Sequence, residues 1–249
     1  MKYLLCVLLC GLWASLSAQT PGLKTEHHLH GQTQIDLIRA DLSLIEPVTL
    51  WADDKAKPLG TLAKARAMQK KQGHEVVFAT NVGTFEAGMV PAGLFVQEGS
   101  LLSPPNTTQQ GPLHQNVPNR LNTLVIARGN ALQIMPNSSY TFDPTITAAF
   151  QTGPLLVQDG VPEETLKRYG QDLKIRTAMG LDNEGKLVIA YSREPISAWE
   201  LARFMRLVGL CAVATQLDEH TCKVYAPSWE LVAEDGAFAA MLVLRLRKP

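Results

Sequence analysis

The sequence predicts an α+β fold, in which a few helices pack on a mixed, largely antiparallel sheet within a single domain. Short apolar stretches recur along the chain, and most gaps between them have the length of a hairpin turn. Two segments instead have helix signals: one is rich in helix formers and stops at a glycine, and the other combines apolar spacing with a capping box. This mixture favours strands that pair with their neighbours over a doubly wound parallel sheet.

Residues 1–18 have the pattern of a secretory signal. Lys2 supplies a positive charge, an apolar core follows, and small residues close the segment at Ala18. We therefore expect a periplasmic or secreted protein whose mature chain begins with a flexible segment, residues 19–32, and continues as one domain, residues 33–249. No later stretch is long and apolar enough to span a bilayer, so no integral membrane segment is expected in the mature chain.

Composition narrows the range of partners. The chain has 23 Lys and Arg residues against 23 Asp and Glu residues, whereas charge-driven binding to nucleic acid requires a basic surface. We therefore expect no nucleic-acid partner. His27, His28 and His30 lie close together, but the sequence offers no further ligand beside them. No metal site is predicted, and the cofactor is unknown.

The first part of the predicted domain contains a strand, a helix and a second strand. The stretch TQIDLIRADLSLI, residues 33–45, alternates like a half-buried strand that Glu46 and Pro47 are expected to end. The stretch TLAKARAMQKKQG, residues 61–73, is rich in helix formers and stops at a glycine. EVVFAT, residues 75–80, is typical of a buried strand.

Short strands dominate the remainder. They are predicted at GLFVQ (93–97), LNTLVIA (121–127) with ALQIM (131–135) across the turn RGN, GPLLVQ (153–158), KLVIAYS (186–192), AVATQL (212–217) and FAAMLVLRL (238–246). The one strong helix signal is ISAWELARFMRLVG, residues 196–209. Ser197 and Glu200 have capping-box spacing there, and Gly209 closes the helix.

Three apolar strands run into polar turns, at residues 78–88, 150–160 and 214–222. With IRTAMG, residues 175–180, these turns resemble, in their order, the motifs of the phosphodiester glycosidase family, from Ile35 to the C-terminus. The resemblance implies a sugar-phosphate or glycan ligand. It places substrate-binding positions at Asn81, Gly83, Phe85, Gln151, Gly153 and Gly180, and catalytic positions at Arg176 and Asp218.

The third turn departs from the family pattern. Glu219 and His220 replace a pair of glycines after Asp218, and Cys222 replaces a serine. Two side chains now stand where the family has bare backbone, so a sugar-phosphate that needs this clearance would be crowded.

Chemistry assigns a role to each polar group. A sugar phosphodiester releases an anion that is already stable, so its cleavage mainly needs donors for the phosphate and a carboxylate near the anomeric carbon. Arg176 is the candidate phosphate clamp and Asp218 the candidate carboxylate. Glu219 is a candidate second carboxylate, and His220 a candidate acid at mildly acidic pH. The alternatives are a solvated arginine, an aspartate that caps a turn, and two exposed loop residues.

Three functions stay open at this point. The leading one is an exported hydrolase that cleaves a sugar-phosphate bond in envelope or extracellular glycans. The second is a non-catalytic glycan-binding or envelope-binding protein that keeps the fold without the glycine-rich turn. The third is an enzyme that uses the Cys222 thiolate with help from His220.

The two cysteines of the mature chain, Cys211 and Cys222, are expected to form a disulfide, because export permits oxidation. A buried free pair and a reactive Cys222 are the alternatives.

Overall fold

The computed structural model describes residues 20–106, 122–140, 143–218 and 221–248, so the predicted signal lies outside the described residues. The strands are β1 (Leu23–His30), β2 (Thr33–Ala40), β3 (Ile45–Leu50), β4 (Val76–Asn81), β5 (Phe85–Glu86), β6 (Val90–Pro91), β7 (Phe95–Gln97), β8 (Ser100–Ser103), β9 (Thr123–Arg128), β10 (Ala131–Pro136), β11 (Ala148–Thr152), β12 (Leu155–Gln158), β13 (Val161–Pro162), β14 (Thr177–Asp182), β15 (Leu187–Ser192), β16 (Cys211–Asp218), β17 (Val224–Ala226), β18 (Leu231–Ala233) and β19 (Met241–Leu246). The α-helices are α1 (Leu62–Lys71) and α2 (Ala198–Leu207), and short 3-10 helices cover Asn137–Ser139, Glu164–Tyr169 and Pro227–Trp229. In this described part, neither α-helix has the length and apolar character needed to cross a bilayer.

Three antiparallel sheets form the body of the protein. The largest has seven strands in the order β1-β2-β15-β14-β16-β12-β13. Two five-stranded sheets have the orders β10-β9-β11-β7-β8 and β18-β17-β4-β19-β3, and β5 and β6 form a separate hairpin. The predicted antiparallel pairing and the packed helices are confirmed, but sheets make up more of the chain than an α+β fold suggests.

The main hydrophobic core lies between the three sheets. It contains Ile38 and Leu217 from the seven-stranded sheet, Phe78 and Leu242 from the sheet of β4, and Phe150 from the sheet of β11, all of them buried. Burial of one such side chain contributes about 1.5–3 kcal/mol. This shared core fixes the three sheets against one another and thereby brings the ends of β4, β11 and β16 together.

Helix α2 packs on the outer face of the seven-stranded sheet. Leu201, Phe204 and Met205 point into a second core that this sheet and the helix share. The helix begins as the sequence predicts, because the Ser197 hydroxyl accepts a hydrogen bond from the Glu200 N–H at 3.2 Å. The predicted Ser197 cap is confirmed, whereas the Glu200 carboxylate pairs with His30 and Arg203.

Ser197→Ala is expected to lower the free energy of unfolding by about 1 kcal/mol, because the first turn of α2 loses its side-chain cap. Chemical denaturation would measure the loss. Ser100→Ala is the matched control, because Ser100 is exposed in β8 and caps no helix. A change below a few tenths of a kcal/mol in the Ser197 variant would contradict this account.

Two expectations for the first strands are wrong. The segment predicted to be flexible, residues 19–32, contains β1, which pairs along its whole length with β2. Pro47 does not end a strand but lies within β3, opposite Leu244 of β19. Since β3 is at the edge of its sheet, one side of the strand needs no partner, and the missing proline N–H is tolerated there.

The three histidines of β1 are each held by a carboxylate. The pairs are His27 with Asp36 at 2.7 Å, His28 with Glu26 at 2.9 Å and His30 with Glu200 at 3.0 Å. Across the residues that the structure describes, no cluster of three His, Cys, Asp or Glu side chains is arranged to hold a metal ion. His27 joins β1 to β2 and His30 joins β1 to α2, whereas His28 pairs with a carboxylate of β1 itself.

Glu26 makes the attachment of β1 to the rest of the protein dependent on pH. Burial alone would raise the pKa of its carboxyl group, but hydrogen bonds from Lys24, His28 and Arg39 outweigh burial and lower the pKa from 4.5 to about 2. A carboxyl group whose pKa falls on folding stabilises the folded state above its unfolded pKa. The contribution of Glu26 is therefore complete above pH 4.5 and is lost as the pH falls toward about 2.

We expect Glu26→Gln to cost about 1–3 kcal/mol of stability at neutral pH, because the amide lacks the charge that binds Arg39 and Lys24. The difference from the native protein should shrink in acid, where the native carboxyl group also becomes neutral. Denaturation at a series of pH values would measure it. A difference that stays constant down to acid pH would disprove the ionic explanation.

The predicted disulfide between Cys211 and Cys222 is absent, and both cysteines are free and buried. Cys211 begins β16, whereas Cys222 follows its other end. Since a strand rises about 3.3 Å per residue, the seven steps of β16 separate its ends by about 23 Å, far beyond the reach of a disulfide. Close spacing in the sequence therefore does not bring these two thiols together.

Candidate active site

The ends of β4, β11 and β16 meet the start of β14. Because β14 runs antiparallel to β16, Thr177 at the start of β14 pairs with Asp218 at the end of β16. The Gly83 N–H, just after β4, donates to the Leu217 carbonyl at 3.0 Å. The Thr152 hydroxyl, at the end of β11, donates to the same carbonyl at 3.1 Å. All three predicted turns therefore converge on one place.

Asp218 holds the turn that follows β16. Its Oδ2 atom accepts hydrogen bonds from the Thr221 N–H at 2.9 Å, the Thr221 hydroxyl at 3.0 Å and the Cys222 N–H at 2.6 Å. The carboxyl group is thereby fixed through one of its two oxygens. The candidate residues Glu219 and His220 belong to this turn in sequence but lie outside the described residues.

Asn81 supports the same turn from β4. Its Nδ2 group donates to the Thr221 hydroxyl at 2.9 Å, and its Oδ1 atom accepts from the Lys223 N–H at 2.8 Å. The neighbouring Thr80 hydroxyl donates to the Lys223 carbonyl at 2.9 Å. The amide predicted to contact a substrate thus positions Asp218, through Thr221.

Gly83 and Gln151 form a close backbone contact. Gly83 has φ +64°, and a Cβ atom there would lie 2.7 Å from the Gln151 carbonyl oxygen, so only glycine fits without a shift. The buried Gln151 side chain accepts hydrogen bonds from the Leu94 N–H at 2.9 Å and the Asn106 N–H at 2.8 Å. The Gln151 side chain therefore anchors β11, the strand that leads to the site.

Arg176 is buried, with a relative exposure of only 1%. Its guanidinium group donates to the Ile196 carbonyl at 2.9 Å, to Gln216 Oε1 at 2.8 Å and to Asp172 Oδ2 at 3.0 Å. A solvated surface arginine, the alternative that the sequence left open, is therefore wrong. The predicted phosphate clamp is not supported either, because a guanidinium group this buried is not exposed to a substrate phosphate. The Arg176 guanidinium group places a positive charge beside the buried end of β16.

Cys222 is a protonated thiol in this environment. Burial, and secondly the charge of Asp218, raise the pKa of the thiol well above its ordinary value. The sulfur lies 3.1 Å from the Ile175 carbonyl oxygen and 3.2 Å from the Asp218 carbonyl oxygen, so both acceptors are within reach of its single hydrogen. These features argue against the hypothesis of a Cys222 nucleophile, because the thiolate is the reactive form.

The comparison with known families agrees with this geometry. A family model of phosphodiester glycosidases matches residues 74–218, which is more than half of the chain. The chain belongs to the phosphodiester glycosidase family. The matched region contains β4, β11, β14 and β16, whose ends form the candidate site.

Three proteins similar to this chain are distant from it in sequence. The uncharacterized protein YigE of Escherichia coli (strain K12) is 23% identical over 156 residues, 63% of this chain and 60% of that protein. The catalytic domain of zebrafish N-acetylglucosamine-1-phosphodiester alpha-N-acetylglucosaminidase has a TM-score of 0.62 at 14% identity, over 92% of this chain and 85% of its own. A putative exported protein from Burkholderia pseudomallei K96243 has a TM-score of 0.55 at 11% identity, over 85% of this chain and 74% of its own. These structures establish the shared fold.

Three of the positions that the family resemblance suggested lie at the edge of the site or away from it. Phe85 begins the β5–β6 hairpin and is 48% exposed. Gly153 has φ +152° and joins β11 to β12. Gly180 lies within β14, where a Cβ atom would be 2.6 Å from the Cys211 sulfur. Gly180 therefore makes room for a buried thiol.

The sequence analysis missed two residues of the candidate site. Gln216 accepts a hydrogen bond from Arg176, and Thr221 links Asn81 to Asp218. The signal for Gln216 was a polar residue in an apolar stretch, directly before the Leu-Asp pair. Thr221 had no such signal, because its role depends on the contact between β4 and the turn.

Proposed function

We propose that this protein is an exported hydrolase that cleaves the bond between a sugar and the phosphate of a phosphodiester. The observation that carries the proposal is the convergence of Asp218, Arg176 and Gln216 where the three motif-bearing turns meet. Family membership and the fold shared with an N-acetylglucosamine-1-phosphodiester glycosidase support it. The relative described as a putative exported protein supports the location.

Departure of the leaving group needs little assistance from the protein. Water attacks the anomeric carbon, the bond from this carbon to the phosphate oxygen breaks, and the phosphate leaves with the bonding electrons as a stable anion. Asp218 is the carboxylate that stabilises positive charge at the anomeric carbon or accepts the proton from water. Arg176 supplies positive charge from behind and holds Gln216, so we assign it a positioning role.

The test is the release of free sugar from a defined phosphodiester. The purified chain would be given the methyl phosphodiester of N-acetylglucosamine 1-phosphate, with methyl N-acetylglucosaminide, which lacks the phosphate, as the matched control substrate. We expect the phosphodiester to react at least about a hundredfold faster, because only its leaving group is a stable anion. Equal rates would indicate a general glycosidase and overturn the proposal.

A binding function is the second candidate, and the contacts of Asp218 favour it. Three hydrogen bonds to Oδ2 would give this residue a purely structural purpose in a protein that has lost its reaction. Glycan binding without release of sugar would support this candidate. A gain of hydrolysis when glycines replace Glu219 and His220 would identify the turn as a lost active site.

A further inference from the structure

A cavity of about 360 Å³ lies against the turn that follows Asp218. Thr221, Cys222 and Lys223 form one wall, so the cavity shares the turn with the candidate active site. Lys174 and Tyr191 belong to the other walls. We call this cavity the lysine groove. No part of the hydrolysis described above uses it.

The backbone under both lysines is fixed. The N–H and carbonyl of Lys223 are held by Asn81 and Thr80, at 2.8 and 2.9 Å. Those of Lys174 bond to the backbone of Ile196, at 3.2 and 2.8 Å. Both side chains therefore start from fixed backbone positions. Their ammonium groups are paired with carboxylates, Lys174 with Asp172 at 3.1 Å and Lys223 with Asp235 at 2.8 Å, so a bound anion has to share or displace these carboxylates.

The carboxylate beside Lys223 is easily displaced. Lys223 Nζ lies 2.8 Å from Asp235, whose side chain is 81% exposed. An ion pair this exposed is weak, because water screens it. A doubly charged phosphate group can therefore replace Asp235 at small cost.

The other walls suit the uncharged part of a small ligand. Tyr191 is stacked on Trp229, with ring centroids 6.3 Å apart and an interplanar angle of 26°, so its ring is held in place. Burial raises the pKa of the Tyr191 phenol, which keeps the hydroxyl neutral and able to donate a hydrogen bond. Ile175 adds an apolar surface beside it.

We propose that the lysine groove binds the phosphate-bearing leaving group of the substrate, as a phosphate monoester of a small hydroxylated molecule. This rests on the proposed function, since it takes the Asp218 turn as the reacting site. The lysine groove adds the location of the phosphate-bearing half of the substrate and the residues that select this half. Lys223 and Lys174 would then favour substrates whose leaving group carries the full charge of a phosphate.

Isothermal titration with glycerol 3-phosphate, inorganic phosphate and uncharged glycerol tests the proposal without requiring turnover. We expect both phosphates to bind and glycerol not to bind. Lys223→Gln and Lys174→Gln should each weaken binding by about fivefold or more, because each removes one positive charge. Asp235→Asn should strengthen it, because a competing carboxylate is removed. Lys186→Gln, an exposed lysine paired with Glu184, should change nothing.

The results separate this proposal from the proposed function. Absence of phosphate binding, or unchanged affinity in both lysine variants, overturns the lysine groove even if sugar is released. Weaker binding in the Asp235→Asn variant overturns it as well. Phosphate binding that depends on both lysines, in a protein that releases no sugar from phosphodiesters, supports the groove and contradicts the hydrolase.

Discussion

Arg176→Met is expected to lower the free energy of unfolding by about 3–5 kcal/mol, the usual cost of removing one partner from a buried ionic network. The substitution removes the guanidinium donor from Gln216 Oε1, the Ile196 carbonyl and Asp172, although the last two keep a contact with Lys174. Chemical denaturation at neutral pH would measure the loss. The site should lose its activity with it, because Gln216 is no longer held in position.

Arg203→Met is the matched control for this variant. Arg203 lies on α2 with its side chain 45% exposed and is paired with Glu200. An exposed pair of this kind contributes at most about 1 kcal/mol. A loss below about 1 kcal/mol in the Arg176 variant would contradict the account of Arg176 as the buried anchor of the site.

Asp218→Asn is expected to preserve the fold and to reduce the release of sugar by about a thousandfold or more. The amide oxygen can still accept hydrogen bonds from Thr221 and Cys222. The amide lacks the negative charge that the anomeric carbon requires. Steady-state hydrolysis and thermal unfolding, measured on the same preparation, would separate the two effects.

Asp53→Asn provides the matched control for Asp218. Asp53 also holds a turn, since it accepts hydrogen bonds from the N–H groups of Lys55 and Lys57, at 2.9 and 3.0 Å. It is not among the residues of the candidate site. We expect this variant to hydrolyse the phosphodiester at the native rate. Equal and small losses of hydrolysis rate in both variants would mean that Asp218 only caps a turn.

Local signals were sufficient for the two α-helices and for about half of the strands in the described residues. Helix α2 begins at Ser197 because capping and apolar spacing act within a few residues. The β9–β10 hairpin was predicted, but the pairing of strands distant in sequence was not predictable: β2 pairs with β15, and β4 with β19. The strand β1 was missed because its histidines suggested a polar tail. Its stability depends on partners in β2 and α2.

The ordered motifs predicted the convergence of the three turns but not the contacts within them. Asn81 and Gln151 were expected to face a substrate, whereas their amides bind backbone and side-chain groups of the protein. The burial of Arg176 depends on residues from three separate segments. Sequence spacing carries no information on such contacts. The same limit explains why Cys211 and Cys222 were wrongly expected to bond.

Hydrolysis in water labelled with heavy oxygen tests the central claim most directly. The claim is that water attacks the sugar and not the phosphorus atom. After a single round of hydrolysis of the N-acetylglucosamine phosphodiester, mass spectrometry of the released phosphate monoester would show where the oxygen has gone. We predict a phosphate without label, because the bond between the anomeric carbon and oxygen breaks. Label in the phosphate would mean that the phosphorus–oxygen bond breaks, and would contradict the account.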